Sequence, residues 1–153
     1  MFAFTCGVAA EDEPTTLEAD DFTFDLDTGV RIYRGDVAFR QGDFHLDCDE
    51  LATYHDADGG LDKGVCRGAP GRFAQRPDSS GDEVRGRART ITLDNRAKIV
   101  VLEREAEIEH GGNRIQGERI TYDLASRKLR AGADGESRAR MIVQPRPNEV
   151  EGE

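Results

Sequence analysis

Residues 30–51, VRIYRGDVAFRQGDFHLDCDEL, return 69 positions later as residues 99–120, IVVLEREAEIEHGGNRIQGERI. Val30, Ile32, Val37, Phe39, Gly42, Leu46, Asp49 and Leu51 stand against Ile99, Val101, Ala106, Ile108, Gly111, Ile115, Glu118 and Ile120. Among the positions compared, only Phe44 against Asn113 changes chemical class. The match reaches back without a gap, from Ala19, Phe22, Phe24 and Asp25 to Ala88, Ile91, Leu93 and Asp94. Within each copy apolar and polar residues alternate, the period of a strand with one wet face. Self-similarity at a fixed offset marks stacked copies of one supersecondary unit, each unable to bury its apolar face alone.

Between the alternating runs lie turn signals: Asp27-Thr28-Gly29, Arg34-Gly35-Asp36, Gln41-Gly42-Asp43, Gly111-Gly112-Asn113 and Gly132-Ala133-Asp134-Gly135. With 17 glycines and no helical stripe, the chain is expected to be all-β, a jellyroll or stacked sandwich of short antiparallel strands built from two similar halves. Pro77 to Glu83 reads as the loop between the halves, and residues 147–153 read as a disordered tail. The 153 residues amount to one domain, placed at 11–146.

The first ten residues, MFAFTCGVAA, are apolar and end in small residues before Glu11, Asp12 and Glu13. They read as the remnant of a signal peptide cleaved after Ala10, with a simple disordered N-terminus as the alternative. Export would place the domain in an oxidising compartment with Cys48 and Cys66 as its remaining thiols. Folding the segment about Ala57 sets Cys48 opposite Cys66, where a disulfide is feasible; two small buried hydrophobes is the other reading.

A formal net charge of -10 argues against nucleic acid as a partner, because phosphate would be repelled. The charge is polarised. Residues 1–63 carry 16 acids against Arg31, Arg34, Arg40 and Lys63, whereas residues 64–153 carry 15 acids against 17 bases. A stacked β structure has unpaired strands at both ends, here an acidic first strand near Pro14 to Ala19 and a basic last one near Arg138 to Val143. Unlike ends attract, which favours head-to-tail self-association and open chains.

Read together, the run TTLEADDFTFDLDTGVRIYRGDVAFRQGDFHLDCDELATY and its second copy, RARTITLDNRAKIVVLEREAEIEHGGNRIQGERITYDLASRKLRA, resemble the OstA-like domain family of the lipopolysaccharide transport proteins. The resemblance spans about residues 14 to 143 and rests on the order and spacing of Gly35-Asp36-Val37, Gly42, Cys48-Asp49-Glu50-Leu51 and Gly117-Glu118-Arg119-Ile120-Thr121-Tyr122. It implies a twisted β-jellyroll, open along one side, whose apolar groove shields the lipid A acyl chains of lipopolysaccharide in the periplasm. It implies partners too, an LptC-like protein at the inner membrane and an LptD-like protein at the outer membrane, and no cofactor. The expected type is the periplasmic bridge member, without the membrane helix or barrel of its relatives. The strong acidity of the first strands and the Cys48 and Cys66 pair depart from the family pattern.

On this reading Leu17, Phe22, Phe24, Ile32, Val37, Phe39, Phe44, Leu46, Phe73, Ile91, Leu93, Ile108 and Ile115 line the groove, each of them equally readable as ordinary core. Catalysis finds no constellation: His45, His55 and His110 fall in wet strand or turn positions, with no nucleophile or carboxylate pair spaced around them. Asp56-Ala57-Asp58-Gly59-Gly60 with Asp62 has a passing likeness to a calcium loop, but Arg67 stands where an acid is needed. Arg85, Arg87 and Arg89 form either a solvated strand face or contacts to lipid A phosphates. The rival classes are a structural β filament without ligand and a carbohydrate-active enzyme on a stacked β scaffold.

Overall fold

The computed structural model describes residues 15–76, 83–132 and 138–143. The expected signal remnant, the tail and all of the inter-half loop but Glu83 lie outside the described residues. Ten strands follow in chain order: Thr15–Glu18 (β1), Asp21–Phe24 (β2), Arg31–Gln41 (β3), Phe44–His55 (β4), Leu61–Gln75 (β5), Val84–Asp94 (β6), Ile99–His110 (β7), Asn113–Asp123 (β8), Lys128–Ala131 (β9) and Arg140–Ile142 (β10). All belong to one antiparallel sheet in the order β1-β3-β4-β5-β6-β7-β8-β10, with β2 also on the edge of β3 and β9 on the edge of β8.

The sequence repeat is a structural repeat with the same register. Thr15 faces Gln41 as Val84 faces His110, Asp21 faces Arg34 as Thr90 faces Glu103, and Arg31 faces Thr53 as Val100 faces Tyr122. The short pair β1 and β2 thus corresponds to the single strand β6. At the other end β9 and β10 stand where the first copy has the 15-residue β5.

A line of irregularities crosses the whole sheet. Register slips between Arg34 and Val37, between Asp47 and Glu50, between Arg67 and Gly71, between Arg87 and Thr90, and between Glu103 and Ala106. Arg34-Gly35-Asp36, which reads as a turn in sequence, is therefore a bulge inside a continuous strand. At the slips the strands bend while the same side of the sheet keeps facing inward: β3 carries one residue more than β4 there and keeps its alternation from Tyr33 to Val37, whereas on β4 buried Phe44, Leu46 and Cys48 give way to buried Leu51 and Thr53. On β3 the bulge needs left-handed backbone at Gly35 (φ 88°) and Asp36 (φ 46°). Sixty-nine residues on, Arg104 (φ 74°) and Glu105 (φ 56°) adopt it without glycine, at a cost of about 1 kcal/mol each.

The bend folds the sheet into two leaves. Phe73 and Tyr122 lie three strands apart and on opposite sides of the bulge line, yet their rings stack with centroids 6.1 Å apart. Tyr122 Oη donates to Gln75 Oε1 at 2.8 Å, and Arg127 Nη1 reaches the same oxygen at 3.4 Å, so the leaf tips are bridged. Burial raises the Tyr122 pKa, which keeps the phenol protonated as a donor. Phe73 reaches across because its strand neighbour is Gly86: a Cβ there would collide with the Phe73 ring and come within 3.1 Å of Leu102 Cδ2.

Cys48 and Cys66 are joined in a disulfide, with Cα atoms 5.6 Å apart. They are not opposite one another, as a hairpin folded about Ala57 would require. The turn at Asp56 to Gly60 sets Tyr54 against Lys63 and Cys66 against Leu51, three positions further on. Cys48 reaches Cys66 diagonally over the bulge, where Gly71 leaves room: a Cβ there would lie 2.8 Å from Cys66 Sγ.

At the tips of the second leaf one turn recurs. Asp25 Oδ1 accepts from the N–H groups of Asp27 and Thr28, Asp94 Oδ1 from Arg96 and Ala97, and Asp123 Oδ1 from Ala125 and Ser126. Each turn then closes through a left-handed residue: Gly29 (φ 81°), Lys98 (φ 60°) or Arg127 (φ 61°). These backbone donors hold the carboxyls of Asp25 and Asp123 below the ordinary value of 3.8. Asp56 holds its own turn through the N–H groups of Asp58 and Gly60, which directs that carboxylate into the backbone instead of toward an ion.

Two measurements test this architecture. Gly86→Ala is expected to lower unfolding free energy by about 2 kcal/mol, the usual cost of overpacking; equal denaturation midpoints would mean that the Phe73 ring does not lie over Gly86. Asp123→Asn should be less stable than the parent at neutral pH. Because the folded carboxyl titrates below its unfolded value of 3.8, that difference should persist above this pH and fade as pH drops toward the folded pKa. A difference constant with pH would assign the effect to something other than this charge.

Candidate functional site

Cross-strand partners share a face, so register decides which residues line the interior. One row runs from edge to edge of the first leaf: Leu17, Phe39, Leu46, Phe73, Gly86, Ile108, Ile115 and Met141. In the second leaf a matching row runs Phe22, Tyr33, Leu51, Cys66, Ile91, Leu102, Ile120 and Ala131. A third row, nearer the tips, contains Phe24, Arg31, Thr53, Gly64, Leu93, Val100 and Tyr122. Together these rows make one apolar inward surface as long as the sheet is wide.

Exposure along that surface is graded. Phe39, Leu46, Phe73, Ile91, Leu93 and Ile108 in the middle are buried, as are Val37 and Phe44. Leu17 and Ile115 are partly buried against the same cluster. At the outer ends the inward face opens: Phe22 is 62% exposed, Phe24 44% and Met141 58%. Phe22 keeps a stacked partner in Tyr33, with centroids 5.6 Å apart, and Phe24 lies under the Arg31 guanidinium at 4.4 Å.

Twelve of the thirteen residues expected to face inward do so. Ile32 does not. It pairs with Thr23 and Ala52 on the outward face, and Tyr33 takes the inward position. The sequence signal misleads here because the outer surface of the second leaf is itself rich in β-branched residues, with Val65 and Val101 at related positions. The inward residues Tyr33, Leu51, Val84, Val100 and Leu102 fall outside the expected set, as do Ile120 and Tyr122 although those two alternate. The slip shifts the alternation on β4, β5, β6 and β8 but not on β3 or β7, and Ile99 to Leu102 is apolar on both faces. The 69-residue offset carries the missing signal, because Leu51 predicts Ile120.

The outward face of the first leaf, and of the row that borders the bulge line, is a charge ladder. Arg87 meets Glu107 at 2.9 Å, Arg114 meets Glu109 at 3.1 Å, Arg119 meets Glu103 at 3.1 Å and Arg89 meets Glu105 at 3.4 Å. Arg85 pairs with Glu83 at 3.5 Å. Arg85, Arg87 and Arg89 thus point away from the apolar interior and are matched by acids, the solvated-face alternative. Two troughs of about 520 and 510 Å³ lie over this face and share Arg87 and Glu107. Glu107 is buried; the pairs exposed on both sides contribute at most about 1 kcal/mol each. Of the histidines, His45 and His110 are exposed, while His55 is half-buried against Thr53 Oγ1. Among the described residues no group of acids, histidines or cysteines is arranged to hold a metal ion, and no helix is long and apolar enough to cross a membrane.

Residues 16–128 match the family model described as LptA/(LptD N-terminal domain) LPS transport protein. The lipopolysaccharide export system protein LptH of Pseudomonas aeruginosa is 29% identical over 136 residues, covering 89% of this chain and 76% of the relative. The lipopolysaccharide export system protein LptA of Escherichia coli is 27% identical over 135 residues, covering 88% and 72%. That of Haemophilus influenzae is 25% identical, covering 87% and 78%. The crystal structure of LptH, described as the LptA-homologous periplasmic component of the lipopolysaccharide transport device in Pseudomonas aeruginosa, superposes with a TM-score of 0.82 over 89% of this chain and 99% of that one. The bent sheet is thus that of a known architecture, and the chain belongs to the LptA/LptD N-terminal domain family of lipopolysaccharide transport proteins.

Proposed function

We propose that this chain is a periplasmic carrier of lipopolysaccharide, sheltering lipid A acyl chains on its inward face while the sugars stay in water. The observation that carries the reading is the continuous inward row from Leu17 to Met141, buried in the middle and open at the ends. A closed core would bury its end residues; an apolar surface left open at the edges suits a ligand that continues into the next molecule. Sheltering about ten methylenes supplies on the order of 8 kcal/mol before ordering costs, enough for passage without trapping. The Cys48–Cys66 disulfide accords with an oxidising compartment. The role assigned is binding and transfer, with no chemical step.

The sheet edges, which pair with no further strand among the described residues, support end-to-end joining. Strands β1 and β2 form one edge, with Glu18, Asp20 and Asp21, and β9 and β10 form the other, with Lys128, Arg130, Arg138 and Arg140. Opposite signs favour unlike edges meeting, either between copies of this chain or with an LptC-like partner before it and an LptD-like partner after it. A structural β filament is the second reading, favoured by the direct packing of Phe73 on Tyr122 between the leaves.

Photo-crosslinking separates the two. A photoreactive residue at Phe22 or Met141 in the exported protein is expected to yield lipopolysaccharide adducts, and one at outward Ile32 is expected to yield none. Adducts at Ile32 as abundant as at Phe22, or well-folded protein without adducts at either inward position, would favour the filament.

A further inference from the structure

The repeat lets the two copies be compared at inward positions 69 residues apart. In the second copy the row nearest the leaf tips is Leu93, Val100 and Tyr122, all at most 2% exposed. In the first copy the same three positions are Phe24, Arg31 and Thr53. A guanidinium therefore stands where the other copy has a fully buried valine. Arg31 lies on the inward face, two residues before buried Tyr33, with its Cζ 4.4 Å from the centre of the Phe24 ring.

No acid among the described residues forms an ion pair with Arg31, and its Nε is buried without an acceptor. The polar groups around it are engaged elsewhere. Thr53 Oγ1 bonds with His55 Nε2 at 3.0 Å, and Asp25, beside Phe24, accepts from its own turn at 3.0 and 3.1 Å. A charge turned inward without a partner opposes folding. The contact Arg31 does make, with the Phe24 ring, supplies no hydrogen-bond acceptor, and where a chain breaks its own pattern and leaves donors unmet, function is a usual cause.

We propose that Arg31 recognises the phosphate ester of an amphiphile at the N-terminal mouth of the inward face, with the acyl chains of that amphiphile lying along Phe22, Phe24 and Tyr33. The inference rests on the carrier reading above and adds to it the group that reads the ligand's charge. Guanidinium matches phosphate through paired N–H donors and stays ionised at any relevant pH. Stacking on Phe24 orients the group in advance beside the mouth, where Phe22 and Phe24 are exposed. Recognition is thus asymmetric along the stack, with phosphate read at the first copy and acyl chains alone at the second.

The test uses purified protein titrated with lipid A carrying both phosphates and with the same lipid dephosphorylated. Wild type is expected to bind the phosphorylated lipid about tenfold more tightly. Arg31→Val, which installs the residue of the second copy, should erase that preference, bind the dephosphorylated lipid as wild type does, and melt at the same or a higher temperature; Arg31→Lys should keep part of the preference. A preference that survives Arg31→Val overturns the proposal. So does a variant that loses both lipids equally or melts lower, because Arg31 would then be structural. Competition by millimolar inorganic phosphate in wild type but not in Arg31→Val would assign a free-ion site instead of a headgroup site. Altered self-association with lipid preference intact would assign Arg31 to a protein partner. Wild type binding both lipids equally sinks this inference alone, whereas wild type binding neither sinks the carrier reading with it.

Discussion

The structure depends on one geometric constraint: a sheet eight strands wide along its main path can enclose an interior only if every long strand bends at the same level. The line of bulges from Gly35-Asp36 to Arg104-Glu105 meets that constraint. Neighbouring strands cross the bend with different numbers of residues, and that difference keeps inward residues paired with inward residues on both leaves. On β4 Leu46 and Leu51 both face inward although they differ in parity, whereas on β3 Tyr33 and Phe39 keep theirs. The left-handed backbone at Asp36, Arg104 and Glu105 is local strain held in place by the packing of both leaves.

From that bend follows an interior unlike an ordinary sandwich core. Its leaves share backbone on one side and, among the described residues, are joined at their tips by a single side-chain hydrogen-bond cluster, Tyr122 and Arg127 on Gln75. Aromatic stacking of Phe73 on Tyr122 and of Phe44 near Phe73 fills the middle. At the ends no further strand among the described residues covers the rows, and Phe22, Phe24 and Met141 are in contact with solvent. An apolar surface sealed in the middle and open at both ends is what end-to-end assembly of such units would continue.

Charge is divided just as sharply between surfaces. The outward face of the first leaf, and of the row that borders the bulge line, alternates arginine and glutamate across neighbouring strands, which keeps a wide β surface wet and discourages sheet-on-sheet stacking. The second leaf spends its aspartates on turns, where Asp25, Asp94 and Asp123 satisfy backbone donors that a strand end would otherwise leave to water. Arg31 belongs to neither pattern. It is charged and faces inward, and the corresponding position of the second copy shows that the fold itself does not require it there.

By itself the sequence determined the all-β class, the two-copy organisation and most of the inward set, because period-two alternation and a gapless offset of 69 residues are local, additive signals. Tertiary structure alone decided three things. It turned Arg34-Gly35-Asp36 from an apparent turn into a bulge, because only long-range pairing with β4 distinguishes a chain reversal from an extra residue in a continuing strand. It set Cys66 opposite Leu51 and brought Cys48 to it diagonally, since the register of β5 follows from the Asp56 to Gly60 turn and the bulge at Gly68 to Gly71 together. And it put Tyr33 inside and Ile32 outside. Hydrophobicity ranks those two residues the other way, but β3 keeps one alternation through its bulge, so Tyr33 shares the face of buried Val37 and Phe39, and only the pairing with β4 shows that the bulge does not exchange the two faces of β3.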